Sequence, residues 1–439
     1  EQTPWSHIIE QSGVSQDEIT QAADLFQQSK RVIVTWAMGI TQHKHSVATI
    51  SEITNLQLLF GHIGRKGAGL CPVRGHSNVQ GDRTMGINEK PEQSFLDALE
   101  QTFNFKPPQE AGHNTVEAIH AMLNGDSKVF IALGGNFVAA TPDTKITTQA
   151  LTNCELTVNI ATKLNRSHLT HGKKSLILPC LGRTDIDIQT TGPQSITVED
   201  SFSMVHASQG VVESNTQYMR SEPAIIAGIA HAVLGSSPVD WLAMANNYDL
   251  IRDAIAETLP AFSNMNQKLK QPGGFYLGNS AAQYQWHTQS KKAVLQSYAL
   301  PEDIVPASIR ELTKNRIFVL QTLRSHDQYN TTIYGFEDRY RGISGERNII
   351  LMNPEDIDDL GFVTEELVDL TSLWPDKVER KISAFKLVAY DIPKGNIAAY
   401  FPEANPLVPL ASSGDLSDTP TSKSIAVTVV KTVQQAAII

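Results

Sequence analysis

The sequence predicts an α/β fold, with parallel-sheet, Rossmann-like layers followed by a C-terminal six-stranded β-barrel. Over residues 1–300, short β-branched runs alternate with helical stretches, which is the pattern of a parallel sheet. After Arg316, six β-type runs follow one another with little helix between them, which indicates a compact barrel. We therefore expect an α/β portion over 1–300, with helical and linker segments over 221–300, and a barrel domain over 301–439.

The first elements are predicted from apolar spacing. Residues 17–28 place their apolar side chains on one helical face, and residues 31–36 are a short β-branched run typical of a buried parallel strand. An apolar stripe with the helical period then runs over 47–59 and stops at Gly61. The glycine-dense stretch 61–70 is expected to be irregular.

Three further strands follow, and their ends mark where a ligand would bind. Residues 129–133, 156–161 and 175–180 are apolar runs with turn or polar residues after them. A helix is expected to begin near residues 141–143. Ligands on parallel sheets bind at the carboxyl ends of the strands, so the residues that follow these runs are candidate binding residues.

Composition excludes several classes of function. The chain has 439 residues and a formal net charge of −10, which argues against a nucleic-acid binder, and its apolar runs are too short to span a bilayer. The three cysteines are widely spaced and form no CxxC motif, so this chain alone supplies no zinc ribbon and no cysteine-only iron–sulfur cluster. Sparse cysteines also suit a reducing compartment, and we expect a cytoplasmic protein.

Residues 71–86, CPVRGHSNVQGDRTMG, form the most informative segment. Few of these residues are apolar, so packing explains little of the sequence. Glycines let backbone N–H groups approach a ligand closely, and arginines bind phosphate oxygens in a bidentate manner. The alternative is an ordinary polar surface loop, but long loops of this composition are usually functional.

The segments TWAMGITQHKHS and GHIGRKGAGLCPVRGHSNVQGDRTMG resemble the molybdopterin oxidoreductase family (DMSO reductase superfamily), specifically formate dehydrogenase-type catalytic (alpha) subunits. The resemblance continues through ALGGNFVAATPD, ILPCLGRTDID and the barrel, so it covers nearly all of the chain. It implies molybdenum or tungsten bound by two molybdopterin guanine dinucleotides, and a barrel of the double-psi type that caps this cofactor. The implied reaction is the two-electron oxidation or reduction of a small anion such as formate, with electrons passing to a partner.

The resemblance is to the C-terminal portion of such subunits. It therefore places the cysteines for a [4Fe-4S] cluster and the metal ligand in an N-terminal half outside this sequence, and this chain alone is expected to be inactive. We keep as an alternative a cofactor-free fragment or a non-catalytic scaffold of such an enzyme. A thiamine-diphosphate or NAD-type α/β enzyme would also suit the alternation of strands and helices, but its fingerprints are missing.

The resemblance also implies which residues bind the cofactor. In the α/β portion they are the residues at the first strand end, in the glycine-rich segment and at the next three strand ends: Gly39, Thr41, Gln42, Arg74, Gly75, Asn78, Gln80, Gly81, Gly134, Gly135, Asn136, Thr162, Lys163, Asn165, His168, Gly182 and Arg183. In the barrel they are Thr322, Arg324 and Asn405.

No catalytic residue can be assigned from the sequence, and His76 is a weak candidate. His43 and His45 are two apart, so they do not share a helical face. Together with His76 and His206 they could hold a metal, but isolated histidines are more often solvated or hydrogen-bonded, so no protein-bound metal is predicted. We expect a small-molecule anion as substrate, and neither a nucleic-acid partner nor a membrane segment.

Overall fold

The computed structural model describes residues 3–214, 216–301, 303–331 and 333–433. It contains two compact units, which are described separately. The first comprises Glu1–Leu70, Asn136–Gln149 and Gln285–Ile439, and the second comprises Cys71–Gly135 and Ala150–Tyr284. The predicted barrel domain over 301–439 thus lies in a unit that also takes in two earlier stretches. The linear division at residue 300 stays a prediction about sequence domains.

The helices are α1 Trp5–Ser12, α2 Gln16–Gln28, α3 Met38–Thr41, α4 Ser46–Leu59, α5 Val79–Thr84, α6 Gln93–Phe103, α7 Thr115–Asn124, α8 Phe137–Ala140, α9 Thr144–Asn153, α10 Glu222–Leu234, α11 Trp241–Asn246, α12 Tyr248–Thr258, α13 Met265–Lys268, α14 Ala307–Arg310 and α15 Pro354–Asp359. The strands are β1 Ile33–Trp36, β2 Gly69–Pro72, β3 Val129–Leu133, β4 Leu156–Ala161, β5 Lys174–Pro179, β6 Ile188–Gln189, β7 Gly192–Pro193, β8 Ile196–Glu199, β9 Met204–Ser208, β10 Phe275–Tyr276, β11 Phe318–Leu323, β12 Ile349–Met352, β13 Leu367–Ser372, β14 Arg380–Ala389, β15 Asn396–Tyr400 and β16 Ile425–Lys431. In the described part of the chain, no helix is both long and apolar enough to cross a membrane.

Local signals explain where the helices begin and end. The helix α2 starts with a capping box, in which Ser15 and Glu18 each bind the other's backbone N–H. The same arrangement of Asn114 and Glu117 starts α7, which ends at Gly125 with a positive φ of 81°. These caps satisfy backbone donors and acceptors that the helix itself leaves unpaired.

The barrel of the first unit confirms the six predicted strands. It is closed in the order β11-β15-β12-β14-β13-β16 and mixes parallel with antiparallel pairs. Its interior is filled by aliphatic and aromatic side chains, among them Phe318, Leu320, Ile350, Leu370 and Val427. Closure leaves no strand edge in the barrel unpaired, and this fixes where the loops at its ends lie.

The second unit contains the predicted parallel sheet. Its order is β3-β4-β5, with all three strands parallel and β4 in the centre. The central strand is the most buried, and Val158 and Ile160 pack with Cys180 beneath helix α10 residues Ile225 and Ile229. The three predicted strands coincide with the observed ones to within one residue.

The glycine-rich segment 71–86 differs from its predicted loop. Only 73–78 and 85–86 lie outside regular elements, because β2 ends at Pro72 and Val79–Thr84 forms helix α5. The helix begins at Asn78, whose φ of 67° lies in the left-handed region that asparagine tolerates. Apolar periodicity cannot reveal a helix of six residues that is largely polar, which is why the sequence did not indicate it.

Candidate functional site

The predicted binding residues of the second unit lie at one edge of its parallel sheet. Leu133 pairs with Ile160 and Ala161 with Pro179, so the three strands end at the same level. The backbone N–H of Gly134 donates to the carbonyl of Ile160 at 2.7 Å, which holds the first turn against this edge. The strand-end residues that the resemblance selects are therefore neighbours in the fold.

Two glycines make the turn after β3. Gly134 and Gly135 have φ values of 73° and 76°, and a backbone in this region strains any residue with a Cβ. No atom lies within 4 Å of the Cβ position of either glycine, so the conformation and not the space requires glycine. The amide of Asn165 donates to the carbonyl of Gly135 at 2.7 Å, which ties this turn to the loop after β4.

His168 has one ring nitrogen without a partner. Its side chain is 7% exposed, and its Nδ1 accepts the backbone N–H of Asn165 at 3.0 Å. In the neutral ring the proton then lies on Nε2. Among the described residues, this Nε2 has no hydrogen-bond partner. A buried donor without an acceptor is costly, so an acceptor from a ligand or a water is expected here.

The glycine-rich loop reaches the end of β5. The guanidinium of Arg183 donates to the hydroxyl of Ser77, and Arg74 donates to the amide oxygen of Gln80 at 3.0 Å. Both arginines are otherwise exposed, as are Gly75, Thr162 and Lys163. An exposed arginine of the loop, Arg74, and an exposed arginine after β5, Arg183, therefore lie in segments that the Ser77 contact joins. His76 is half-buried within this segment, and its catalytic role stays a prediction.

Asn78 and Gly81 have a structural role in this loop. The side-chain oxygen of Asn78 accepts the backbone N–H of Glu199 at 3.0 Å, which connects the loop to β8. A Cβ on Gly81 would lie 2.0 Å from that oxygen, so only glycine leaves room for it. Both residues shape the loop, and their direct contact with a cofactor stays a prediction.

Three carboxyl groups near the loop have raised pKa values. Burial raises the pKa of Glu199, and its Oε2 has no partner in the described part of the chain. Burial also raises the pKa values of Asp82 and Glu222, while the charges of Arg83 and Arg183 oppose the increase. Gly182 belongs to the same region, and its N–H donates to the carboxylate of Asp185 at 2.6 Å.

In the first unit, the residues after β1 meet the end of barrel strand β11. The predicted residues Gly39 and Thr41 lie in the one-turn helix α3, and Gln42 follows it. The carbonyl of Gln42 accepts the backbone N–H of Lys423 at 3.2 Å. The guanidinium of Arg324 approaches the sulfur of Met38 at 4.0 Å and the ring of Phe401 at 5.9 Å. The structure thus brings Gln42 and Arg324 into one region of this unit.

Three predicted residues of this unit are used by the protein itself. The hydroxyl of Thr322, 2% exposed, donates to the carbonyl of Ser422 at 3.1 Å. The amide of Asn405, also 2% exposed, donates to the carbonyls of Ala139 and Thr141 at 2.9 and 2.5 Å. Asn136 is buried at the start of α8. Cofactor contacts for all three stay predictions, and the geometry gives Asn405 a structural task in addition.

Sequence reasoning missed Lys423. Its ammonium donates to the carbonyl of Thr322, and it lies close enough to Arg324 and Arg341 for their charges to affect its pKa. A single lysine between hydroxyl residues before a strand has no spacing signature, so nothing distinguished it from a surface lysine. Only the closed barrel shows where its side chain lies.

The histidines considered as metal ligands have other partners. His45 pairs with Asp415 and His206 with Asp200, each at 3.1 Å, and the ring of His43 bonds to the carbonyl of Gly39 at 2.9 Å. In the described ranges, no group of three or more His, Cys, Asp or Glu side chains could hold a metal ion.

Comparisons with known proteins agree with this geometry. A family model described as molybdopterin oxidoreductase matches residues 20–170, and one described as a molydopterin dinucleotide binding domain matches residues 318–426. An uncharacterized oxidoreductase of Mycobacterium tuberculosis is 48% identical over 427 residues, covering 96% of this chain and 54% of that protein. Formate dehydrogenase H of Escherichia coli is 44% identical over 84 residues, covering 19% of this chain and 12% of that protein.

A solved structure shares the fold. Acetylene hydratase from Pelobacter acetylenicus matches with a TM-score of 0.64 and 16% identity, over 98% of this chain and 64% of that one. The chain spans about half the length of the curated relatives that match nearly all of it. The two family models together match more than half of the chain, including the sheet edge and the barrel. The chain therefore belongs to the molybdopterin oxidoreductase family.

Proposed function

We propose that this chain is the C-terminal part of a formate dehydrogenase-like enzyme that binds molybdopterin guanine dinucleotide with molybdenum or tungsten. The reaction would be the two-electron oxidation or reduction of a small anion. Family membership supports the cofactor class, and the local likeness to formate dehydrogenase H supports the choice of anion. The observation that carries the proposal is the grouping of the strand-end residues at one sheet edge of the second unit.

The residues present suit an anionic, hydrogen-bonding cofactor. In the second unit, the turn at Gly134 and Gly135 has open space beside it, and the buried Nε2 of His168 needs an acceptor. In the first unit, Arg324 and Lys423 are cations without an ion-pair partner among the described carboxylates. Backbone N–H groups, arginine and lysine are the donors that bind phosphate oxygens in proteins.

This chain's own residues would bind and orient the cofactor. Within the first unit, Arg324 and Lys423 would hold phosphate oxygens. Within the second unit, Arg74 and Arg183 would offset negative charge. Asn165 would fix the turn at Gly135. When bound, the cofactor supplies the metal centre at which the two electrons are transferred. The protein contributes position, charge and exclusion of water.

The rest of the enzyme is proposed to supply the other redox parts. The curated relatives have almost as much chain again, and there we place the metal ligand and a [4Fe-4S] cluster. Electrons would pass through that cluster to a partner, in the cytoplasm. The alternative is that this chain is an inactive, cofactor-free fragment or a non-catalytic scaffold. This alternative is supported by the chain's coverage of only 54% of the Mycobacterium tuberculosis relative.

Metal analysis and nucleotide release test the proposal. The full-length protein is purified, its molybdenum and tungsten are measured, and acid-released GMP is quantified. The expected result is about one metal and two GMP per protein. A full-length, active protein with neither metal nor GMP would refute the proposal. Cofactor in the full-length protein but none in this chain expressed alone would support the fragment alternative for the chain itself.

A further inference from the structure

The strand β3 lies at an edge of the parallel sheet of the second unit, although its sequence is typical of an interior strand. In the order β3-β4-β5, its neighbour among the described strands is β4 alone. All five of its residues, Val129–Leu133, are apolar. A continuous apolar run is typical of parallel strands that are buried on both faces. The composition of β3 therefore does not match its position at an edge.

One face of β3 is uncovered. Val129, Ile131 and Leu133 lie on the same face because side chains alternate along a strand, and each of the three is 51–54% exposed. Ile131 pairs with Val158 and Leu133 with Ile160, and these two partners are buried against helix α10. Helix α10 thus covers this face of the sheet over β4 and leaves it exposed over β3.

The backbone of β3 also has an open side. The N–H of Gly134 donates to the carbonyl of Ile160 in β4 at 2.7 Å. The direction of hydrogen bonding alternates along a strand, so the N–H and C=O groups of Ile131 and Leu133 point away from β4. A row of such groups at a sheet edge is a template on which another strand can pair.

The two edges of the sheet differ in their protection against pairing. The opposite edge strand, β5, begins with Lys174 and ends with Pro179. Lysine and proline are residues with which proteins keep other strands from an exposed edge. The strand β3 contains neither a charged residue nor a proline. This difference indicates that the β3 edge, and not the β5 edge, accepts a partner strand.

The length of the relatives and the direction of the strands indicate what pairs with β3. The Mycobacterium tuberculosis relative has almost as much chain again outside the part that this sequence spans. A parallel strand from that part would need a crossover connection, which is usually a helix and could cover the exposed face of β3. A second copy related by a two-fold axis would instead pair β3 with β3 antiparallel and would bring no helix to that face.

We propose that an apolar strand from the part of the full-length protein outside this sequence pairs with β3. The amphipathic helix of its crossover packs on Val129, Ile131 and Leu133, beside α10. A right-handed crossover of this kind continues the parallel sheet without changing its pattern. The proposal rests on the proposed function only in treating the chain as a portion of a longer protein, and not on the cofactor or the reaction.

Hydrogen exchange resolved to single amides by mass spectrometry tests the pairing in the full-length protein and in the 439-residue chain. The amides of Ile131 and Leu133 should exchange at least about 100-fold more slowly in the full-length protein. The amide of Ala132, on the side of β4, is the internal reference for a paired amide. In the full-length protein, all three should be similarly protected. Fast exchange of Ile131 and Leu133 beside a protected Ala132 would overturn the proposal.

A matched pair of substitutions tests the docking face. I131K places a charge where the helix would pack, and it should lower the thermal unfolding midpoint of the full-length protein by about 3 °C or more. I177K makes the same change in β5, where Ile177 is 45% exposed, and should shift that midpoint by less than about 1 °C. Equal shifts in the two variants would refute β3 as the docking edge. If I131K does not fold, exchange in the wild type still decides.

Dilution distinguishes the proposed partner from a second copy. Protection of Ile131 and Leu133 in the full-length protein should stay constant over about 100-fold dilution, because the strand belongs to the same chain. Protection that disappears on dilution would assign β3 to self-association and contradict the proposal.

The outcome is separable from that of the proposed function. Full-length protein without metal or GMP would refute the proposed enzyme, yet the pairing of β3 could still be measured by exchange. Conversely, a loaded enzyme in which Ile131 and Leu133 exchange fast would refute this inference alone.

Discussion

Replacing Asn405 distinguishes a structural asparagine from a cofactor ligand. Its side-chain amide donates to two backbone carbonyls, those of Ala139 and Thr141, at 2.9 and 2.5 Å, and the residue is 2% exposed. N405A removes both donors and leaves both carbonyls without this partner. Each lost hydrogen bond in a buried position costs about 1–3 kcal/mol, so we expect a loss of about 2–5 kcal/mol in the free energy of unfolding.

Urea unfolding followed by tryptophan fluorescence measures this loss. With a slope of about 2–3 kcal/mol per molar urea, the midpoint for N405A should fall by about 1 M or more. N405D should be as damaging, because a carboxylate would place oxygen against the two carbonyl oxygens. The matched control is N396A, since Asn396 is an asparagine of the same barrel whose amide makes only long contacts of 3.4 and 3.3 Å. That variant should stay within about 0.5 kcal/mol of the wild type.

Unfolding and cofactor content of N405A together separate the two roles. If N405A unfolds at the wild-type urea concentration while the full-length variant loses its GMP, then Asn405 acts on the cofactor and the two carbonyl contacts contribute little. If N405A loses both stability and GMP, then its structural role is sufficient to explain the loss of the cofactor.

Two further predictions concern the barrel and the glycine-rich loop. Burial would raise the pKa of Asp369, but hydrogen bonds from Lys381, Thr432 and the N–H of Ala384 lower it to about 2. A depressed folded-state pKa stabilises the protein above the unfolded-state value near 4, and this is lost as the pH falls towards 2. D369N should therefore unfold at lower urea than the wild type at pH 7, and the gap should narrow between pH 4 and pH 2; a gap that stays constant would contradict this assignment. G81A places a Cβ 2.0 Å from the Asn78 oxygen and should cost the second unit about 1–3 kcal/mol, measured by hydrogen exchange of its amides. G228A, at an open position inside helix α10, should be neutral or stabilising by up to about 1 kcal/mol, and equal losses in the two variants would show that crowding at Gly81 is not the cause.

The regular elements could be predicted because each has a local cause. The six barrel strands and the run 129–133 are short, β-branched and bounded by turns, and they fold where the pattern indicates. Two consecutive glycines at 134 and 135 predict a turn after the strand. The structure explains why glycine is needed, because both residues have positive φ values that strain other residue types. Helix α5 was missed because six mostly polar residues carry no apolar period.

The candidate site could be predicted only in part, because a residue type does not reveal what its polar atoms bind. Asn165 and His168 were selected as ligands, and the fold uses Asn165 to fix the turn while it leaves one nitrogen of His168 unsatisfied. Glu199 stands beside Asp200 in an acidic chain and has no distinctive sequence pattern, and burial in the folded protein is what raises its pKa. Burial and hydrogen-bond partners come from segments distant in the chain, so no local pattern contains them.

The sequence by itself determined the α/β-then-barrel order, the strand positions, the family and the strand-end residues to examine. Because the net charge is −10, the sequence also predicts that any anionic ligand must be bound by locally placed cations and backbone N–H groups. The tertiary structure alone decided which cations lie together, because closing the barrel brings Lys423 to the carbonyl of Thr322, more than one hundred residues earlier, and next to Arg324. The interaction between charges and the burial of a group depend on distances in space. The order of residues along the chain does not determine those distances without the fold.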